Sequence, residues 1–259
     1  MILVFDVGNT ETTVGLFEGD ALEAHWRVGT DTHTPDEFAL LIHGLLQAGS
    51  VAAPAISGVA IGSVVPPVTG ALVEACRAVF NRDVIVVVVD ARAPLPIRLE
   101  VDEPLTVGAD RIINTLAASR LIRADTIVVD FGTATTFDCI TADGVFLGGI
   151  IAPGLRSSAE TLVRRTSQLP ATALVPPARA LGKRTDECIR AGVMFGAADS
   201  IDGLVRRLKA EWPTPREPAV IATGGLAEVV APLCQEVQLV DAHLTLKGLQ
   251  IAYDLLATA

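Results

Sequence analysis

A chain of 259 residues, 50% of them hydrophobic, has room for one large core or two modest ones. Its net charge of −10 excludes a broad nucleic-acid surface, which needs basic residues, but not an anionic small molecule held by a few local arginines. The longest purely apolar run, Val84–Val89, is far too short to cross a bilayer, and Met1 runs into an apolar stretch without a basic leader. A cytoplasmic protein with no membrane and no nucleic-acid partner is expected.

Ile2–Leu16 reads I-L-V-F-D-V-G-N-T-E-T-T-V-G-L: an apolar run to Phe5, Asp6, a polar turn, then apolar letters from Val14. This pattern predicts a buried strand, a tight turn and a returning strand. Gly8 lets the turn backbone approach a ligand, and Asn9, Thr10, Thr12 and Thr13 add donors beside the Asp6 carboxylate. Such a nest suits a phosphate group carrying Mg²⁺, although the same letters also describe an ordinary β-hairpin.

Ala21–Val28 reads as a third strand. Thr34-Pro35-Asp36-Glu37 then opens a helix as a capping box with proline in the first turn. His33 and His43 have no partner at ligand spacing, so no metal site is expected there. Ile56–Val65 predicts a strand ending in Gly62 and Ser63, which either line a ligand site or permit close packing. A helix should run from Pro66 through Phe80, a fully buried strand over Val84–Val89, and a loop or lid over Ala91–Pro104. Leu105–Arg111 introduces a helix over Ala109–Ile122. Its first turn holds Asp110, which the helix N-terminus should keep ionised, and Arg111, a cation at the wrong end for the helix dipole. Arg111 is better used on an external carboxylate or phosphate.

Thr126–Asp138 repeats the opening hairpin, followed by a strand at Val145–Ile151 and a helix near Arg156–Arg165. Leu169–Ala180 is a proline-rich connection, and a long helix covers Asp186–Glu211. Gly192, Gly196 and Gly203 are costly inside that helix and make sense if another helix or a nucleotide packs closely against its face. A strand at Pro218–Ala222, a Gly224-Gly225 turn that opens a helix, a short strand at Gln238–Leu239 and a helix over Leu244–Leu256 complete the chain. Cys76, Cys139, Cys188 and Cys234 lie far apart without C-x-x-C spacing and are expected as reduced core residues.

In T-I-V-V-D-F-G-T-A-T-T-F-D-C-I (Thr126–Ile140), Asp130 answers to Asp6, Gly132 to Gly8 and Thr136 to Thr12. Two such hairpins suggest a duplicated domain. The pattern resembles the actin-like ATPase superfamily, which includes acetate and sugar kinases and actin. That resemblance implies an α/β fold of two ribonuclease H-like domains, 1–120 and 121–259, with a nucleotide cleft between them.

Seven segments carry a closer resemblance, in order over nearly the whole chain: D-V-G-N-T (Asp6–Thr10), G-A-D-R (Gly108–Arg111), D-F-G-T-A-T (Asp130–Thr135), G-G-I-I-A-P-G-L (Gly148–Leu155), R-T-D-E-C-I-R-A-G (Arg184–Gly192), T-G-G-L-A (Thr223–Ala227) and L-T-L-K-G-L (Leu244–Leu249). Together they resemble the type III pantothenate kinases. The resemblance implies phosphoryl transfer from ATP to the 4′-hydroxyl of pantothenate, the first step of coenzyme A synthesis. It implies ATP-phosphate binding by Asp6, Val7, Gly8, Asn9, Thr10, Glu11, Thr12, Thr13 and Thr133, with Mg²⁺ accompanying the nucleotide. Gly108, Ala109, Asp110 and Arg111 would bind pantothenate, with Asp110 as the catalytic base. Asp130 would hold a monovalent cation, K⁺ or NH₄⁺, and Thr185 would contact substrate across a homodimer interface. Two positions depart from the family pattern. Val101 stands where many members have a tyrosine, and Arg184 where asparagine often precedes the substrate threonine. A polyphosphate hydrolase, a non-catalytic ATP-binding regulator and a filament former are the competing readings within the superfamily.

Overall fold

The opening hairpin pairs β1 (Ile2–Val7) antiparallel with β2 (Glu11–Glu18), and β3 (Ala21–Gly29) extends it. The computed structural model describes residues 1–80 and 84–258. Helix α1 (Pro35–Ala48) begins with the expected capping box: the Glu37 N–H donates to Thr34 Oγ1 at 3.3 Å, and the Thr34 N–H donates to Glu37 Oε2 at 2.8 Å. Strand β4 (Gly58–Ser63) lies parallel to β1, helix α2 (Pro66–Phe80) follows, and β5 (Ile85–Val89) lies parallel to β4. The first sheet therefore has the order β3-β2-β1-β4-β5. The expectation of a fully buried strand at Val84–Val89 is corrected. β5 is an edge strand, and Ile85 and Val88 are exposed.

A two-residue strand, β6 (Arg98–Leu99), lies in the expected loop. It precedes helix α3 (Ala109–Ala117), which continues as a π turn over Ala118–Ile122. Then the plan repeats. β7 (Thr126–Phe131), β8 (Ala134–Ile140) and β9 (Val145–Pro153) form an antiparallel meander, followed by helices α4 (Leu155–Arg165) and α5 (Thr185–Ala210). β10 (Ala219–Thr223) lies parallel to β7. The short helix α6 (Ala227–Val230) follows, β11 (Leu239–Val240) lies parallel to β10, and helix α7 (Leu244–Leu256) closes the chain. Within this second unit the order is β9-β8-β7-β10-β11, the same as in the first.

The likeness extends to an irregularity. The β2–β3 ladder shifts register between Leu16 and Phe17, and the β8–β9 ladder between Cys139 and Ile140. Leu16 faces Leu3 and Cys139 faces Ile127, three residues before Asp6 and Asp130 respectively, so the bulge occupies the same place in both copies. One correspondence changes. Asp6 pairs with Thr13, whereas Asp130 pairs with Thr136, so Thr136 answers to Thr13 and Thr135 to Thr12. The second turn is one residue shorter: the Gly8 N–H donates to Glu11 O, but the Gly132 N–H donates to Ala134 O, both at 3.1 Å. Thr12 and Thr135 are accordingly both buried.

The chain divides into two compact units, Met1–Arg120 with Leu244–Ala259, and Leu121–His243. The expected second domain of 121–259 is thus corrected at its end, because α7 packs in the first unit. Glycine explains how: a Cβ on Gly248 would lie 2.6 Å from Ile113 Cγ2, and a Cβ on Gly62 would lie 2.2 Å from Ile113 Cδ1. Ile113 of α3 fills the notch left by these two glycines, on α7 and β4. The Thr245 hydroxyl donates to Asn114 Oδ1 at 2.9 Å in the same buried seam. Of the two readings of Gly62, packing is the one the structure bears out.

The central strands of the first sheet, β2, β1 and β4, are buried on both faces. Phe5, Leu16 and Ile61 pack with Phe38, Ile42 and Leu72 on one side, and Val4, Phe17 and Ala60 pack with Ile112, Ile113 and Leu249 on the other. In the second unit, Ile127, Val129, Phe137 and Val220 pack with Ile189, Met194, Ile201 and Val205 of α5. Each large apolar side chain so buried contributes about 1.5–3 kcal/mol. Asp125 fastens the second unit at the start of β7. Its carboxylate accepts from Thr214 Oγ1 at 2.7 Å, the Ala142 N–H at 2.9 Å and Trp212 Nε1 at 3.0 Å. Burial alone would raise its pKa, but these three donors and Arg216 hold it below the ordinary aspartate range.

Candidate active site

The candidate residues of the first unit gather where β1 and β4 end. This is the carboxyl edge, the usual ligand side of parallel α/β sheets. Asp6 stands near the end of β1, between Thr13 of β2 and Gly62 of β4. It shares the sheet face of Val4, the side covered by α3 and α7. The Val64 N–H donates to Val7 O at 3.1 Å and so binds the two strand ends together. Gly8 closes the turn tightly: an added Cβ would stand 3.0 Å from Glu11 O. Thr13 shares the Asp6 face. The Thr12 side chain does not, for it lies on the opposite face, buried, with Oγ1 2.7 Å from Thr30 Oγ1.

Asp110 is brought to the same edge by α3, whose seat is set by Ile113. Gly108 caps the helix with no side chain of its own, and a Cβ there would lie 2.5 Å from Asp110 Oδ1 and 3.4 Å from Val64 Cγ1. The missing side chain leaves room for the carboxylate to fold back over the helix start. There Asp110 Oδ1 accepts the Arg111 N–H at 2.9 Å. Burial pushes the Asp110 pKa above the ordinary aspartate value, and the Arg111 N–H and guanidinium oppose the rise without cancelling it. Desolvation is the largest influence on this carboxylate and outweighs the neighbouring donors and the Arg111 charge. A carboxylate so raised is a better proton acceptor.

In the second unit Asp130 lies near the end of β7, flanked in register by Thr136 of β8 and Thr223 of β10. Gly224, at φ +88°, passes so close that a Cβ would lie 2.4 Å from Asp130 Oδ1. That left-handed conformation and the lack of room both require glycine. Thr133 sits in the Gly132–Ala134 turn, which is braced from α4. Ser157 Oγ donates to Thr133 O at 2.9 Å, and a Cβ on Gly154 would lie 2.2 Å from that oxygen. Sequence reasoning missed Ser157; its only signal was its place just after the P-G-L of the fourth matching segment.

Thr185 opens α5, and no side chain caps that helix. Around it lies an ion-pair group: Arg184 Nε to Asp186 Oδ1 at 3.0 Å, Arg190 to Asp186 at 3.6 Å and Arg179 to Glu187 at 3.8 Å. A Cβ added to Gly192, Gly196 or Gly203 meets nothing within 4 Å among the described residues. Among the described residues, then, nothing fills the notches that these glycines leave on α5. His33 packs edge-on against Phe38, and His43 Nδ1 lies 2.8 Å from Ala39 O. Cys76 and Cys139 are buried as expected, and burial pushes the Cys76 thiol up to about 12. Cys188 is exposed, a correction that follows from its place on the outer start of α5. Among the described residues, no helix is long and apolar enough to cross a membrane.

In fold, the chain is similar to the activator of 2-hydroxyisocaproyl-CoA dehydratase from Clostridium difficile, solved with bound ADPNP (TM-score 0.57, 13% identity, 99% of this chain and 96% of that one). It is also similar to component A of (R)-2-hydroxyglutaryl-CoA dehydratase from Acidaminococcus fermentans (TM-score 0.58, 15% identity, 99% and 98% covered). In sequence it is 43% identical over 256 residues to the type III pantothenate kinase of Roseiflexus sp. strain RS-1, covering 98% of this chain and 99% of the relative. It is 44% identical over 254 residues to that of Syntrophotalea carbinolica, covering 98% of both. The type III pantothenate kinase family model matches residues 2–207. The fold is the duplicated ribonuclease H-like architecture of the actin-like ATPases and sugar kinases, and the chain belongs to the type III pantothenate kinase family.

Proposed function

We propose the residue roles by which this chain performs the family's reaction, ATP-dependent phosphorylation of pantothenate to 4′-phosphopantothenate in coenzyme A biosynthesis. The observation that carries the reading is the seating of Asp110: a desolvated carboxylate held over a helix N-terminus beside Arg111, with its pKa raised. Asp110 orients the 4′-hydroxyl of pantothenate and accepts its proton. Phosphoryl transfer goes through a loose transition state, so positioning and charge neutralisation carry most of the catalysis. Gly108 and Ala109 line the acceptor site with it, and Arg111 grips the pantothenate carboxylate, which fixes the register of the hydroxyl.

The two hairpin turns hold the ATP phosphates. Asp6, Val7, Gly8, Asn9, Thr10, Glu11 and Thr13 contribute backbone N–H groups and side chains, and Thr133 does so from the second turn. Thr12 takes part through its backbone only, since its hydroxyl is engaged with Thr30. Bound Mg²⁺ neutralises phosphate charge. Asp130 holds a monovalent cation, K⁺ or NH₄⁺; its carboxylate beside the Thr223 hydroxyl offers the oxygen donors that such an ion needs. Thr185 reaches substrate in a homodimer, and the open glycine face of α5 supplies a surface that a second copy covers. The enzyme acts in the cytoplasm.

Asp110→Asn tests the central role. The variant should lose at least about 100-fold in kcat, within the usual range for a general base, while binding ATP as the wild type does. Loss of ATP binding, or retention of turnover, would contradict the assignment.

A further inference from the structure

Thr223 ends β10 fully buried, yet its hydroxyl has no hydrogen-bond partner among the described residues. An orphaned buried hydroxyl is costly, and proteins retain few of them. This one stands beside Asp130 in parallel register, on the same face of the sheet, and the next residue, Gly224, wraps its backbone against the Asp130 carboxylate. The duplication supplies an internal control. The position beside Asp6 that corresponds to Thr223 is Gly62, and the space there is taken by Ile113. The fold therefore does not require a hydroxyl at this point, and only the copy that carries Asp130 has one.

We infer that Thr223 is a specificity-determining ligand for the monovalent cation assigned to Asp130, an inference that rests on that assignment. A weakly hydrated monovalent ion is recognised by neutral oxygen dipoles that replace its hydration shell. Asp130 supplies the negative charge, and the Thr223 oxygen supplies a neutral donor with unused lone pairs. Binding the ion gives the hydroxyl the partner that it lacks in the chain alone. The Thr223 oxygen makes the pocket discriminate K⁺ and NH₄⁺ from Na⁺.

The test follows the thermal unfolding midpoint of the full-length protein, with ADP and Mg²⁺ fixed, as NaCl is replaced by KCl at constant ionic strength. In the wild type KCl raises the midpoint, and Asp130→Asn removes the response. Thr223→Val, which deletes the hydroxyl at nearly constant volume, should raise the midpoint in NaCl by relieving the orphaned group. It should also raise the KCl concentration for half-effect at least tenfold; Thr223→Ser should keep the wild-type response. If valine prevents folding, Thr223→Ala is read in the same way. A wild-type KCl response in Thr223→Val, with Asp130→Asn unresponsive, overturns the role of Thr223 and leaves the cation at Asp130. A wild type indifferent to KCl, or an Asp130→Asn variant that responds fully, overturns the cation assignment itself.

Discussion

At the scale of single residues, two aspartates, Asp110 half-buried and Asp125 buried, are pushed in opposite directions by their surroundings. At Asp110 desolvation outweighs the backbone donors and the neighbouring guanidinium, and its pKa rises. Asp125 collects three donors, and its pKa falls. The first carries the proposed chemistry, and the second ties loops of its own unit together. Asp125→Ala leaves the indole of Trp212, the hydroxyl of Thr214 and the Ala142 N–H without their acceptor and should cost about 2–3 kcal/mol, read as a lower urea midpoint. An unchanged midpoint would show that these bonds are not stabilising. The pH dependence has a definite sign. A depressed folded-state pKa means that the contribution of Asp125 is present above the unfolded aspartate pKa, about 3.9, and is lost as pH falls through the lower folded value. The stability gap between wild type and Asp125→Ala should therefore close in acid. Asp110 stood out in the sequence as a candidate because G-A-D-R opens a helix. Its pKa direction was not, because desolvation depends on how Val64, Gly108 and Ile113 pack, and no local pattern encodes that.

At the scale of elements, the hairpins were legible from their apolar run, aspartate and glycine, and the capping box of α1 from four letters. What escaped was register. The one-residue difference between the two turns depends on which carbonyl each glycine N–H finds, Glu11 or Ala134, and it moves the threonine equivalences by one. β5 escaped too, since five apolar letters describe an edge strand as well as a central one. The bracing of the second turn by α4 gives a sharp prediction. Gly154→Ala places a methyl group against Thr133 O and should displace that turn, weakening ATP binding at least tenfold while the far-UV circular dichroism stays unchanged. Wild-type ATP affinity in that variant would remove the second turn from the nucleotide site.

At the scale of the whole molecule, the duplication explains why two units share one strand order and one bulge position. It was visible as two matching hairpins. The return of α7 to the first unit was not, because the notch made by Gly62 and Gly248 around Ile113 joins residues distant in sequence. The glycines of α5 signalled close packing, and among the described residues that face is left open. Gly196→Leu should therefore convert the proposed dimer into a monomer in sedimentation velocity, and the proposed substrate contact by Thr185 would be lost with it. A wild type that sediments as a monomer would contradict the dimer. The most direct test of the account is the appearance of 4′-phosphopantothenate from ATP, Mg²⁺ and pantothenate, run in parallel in K⁺, NH₄⁺ and Na⁺. The account predicts product in K⁺ or NH₄⁺ and little in Na⁺; ATP bound but no product in any of the three would contradict it.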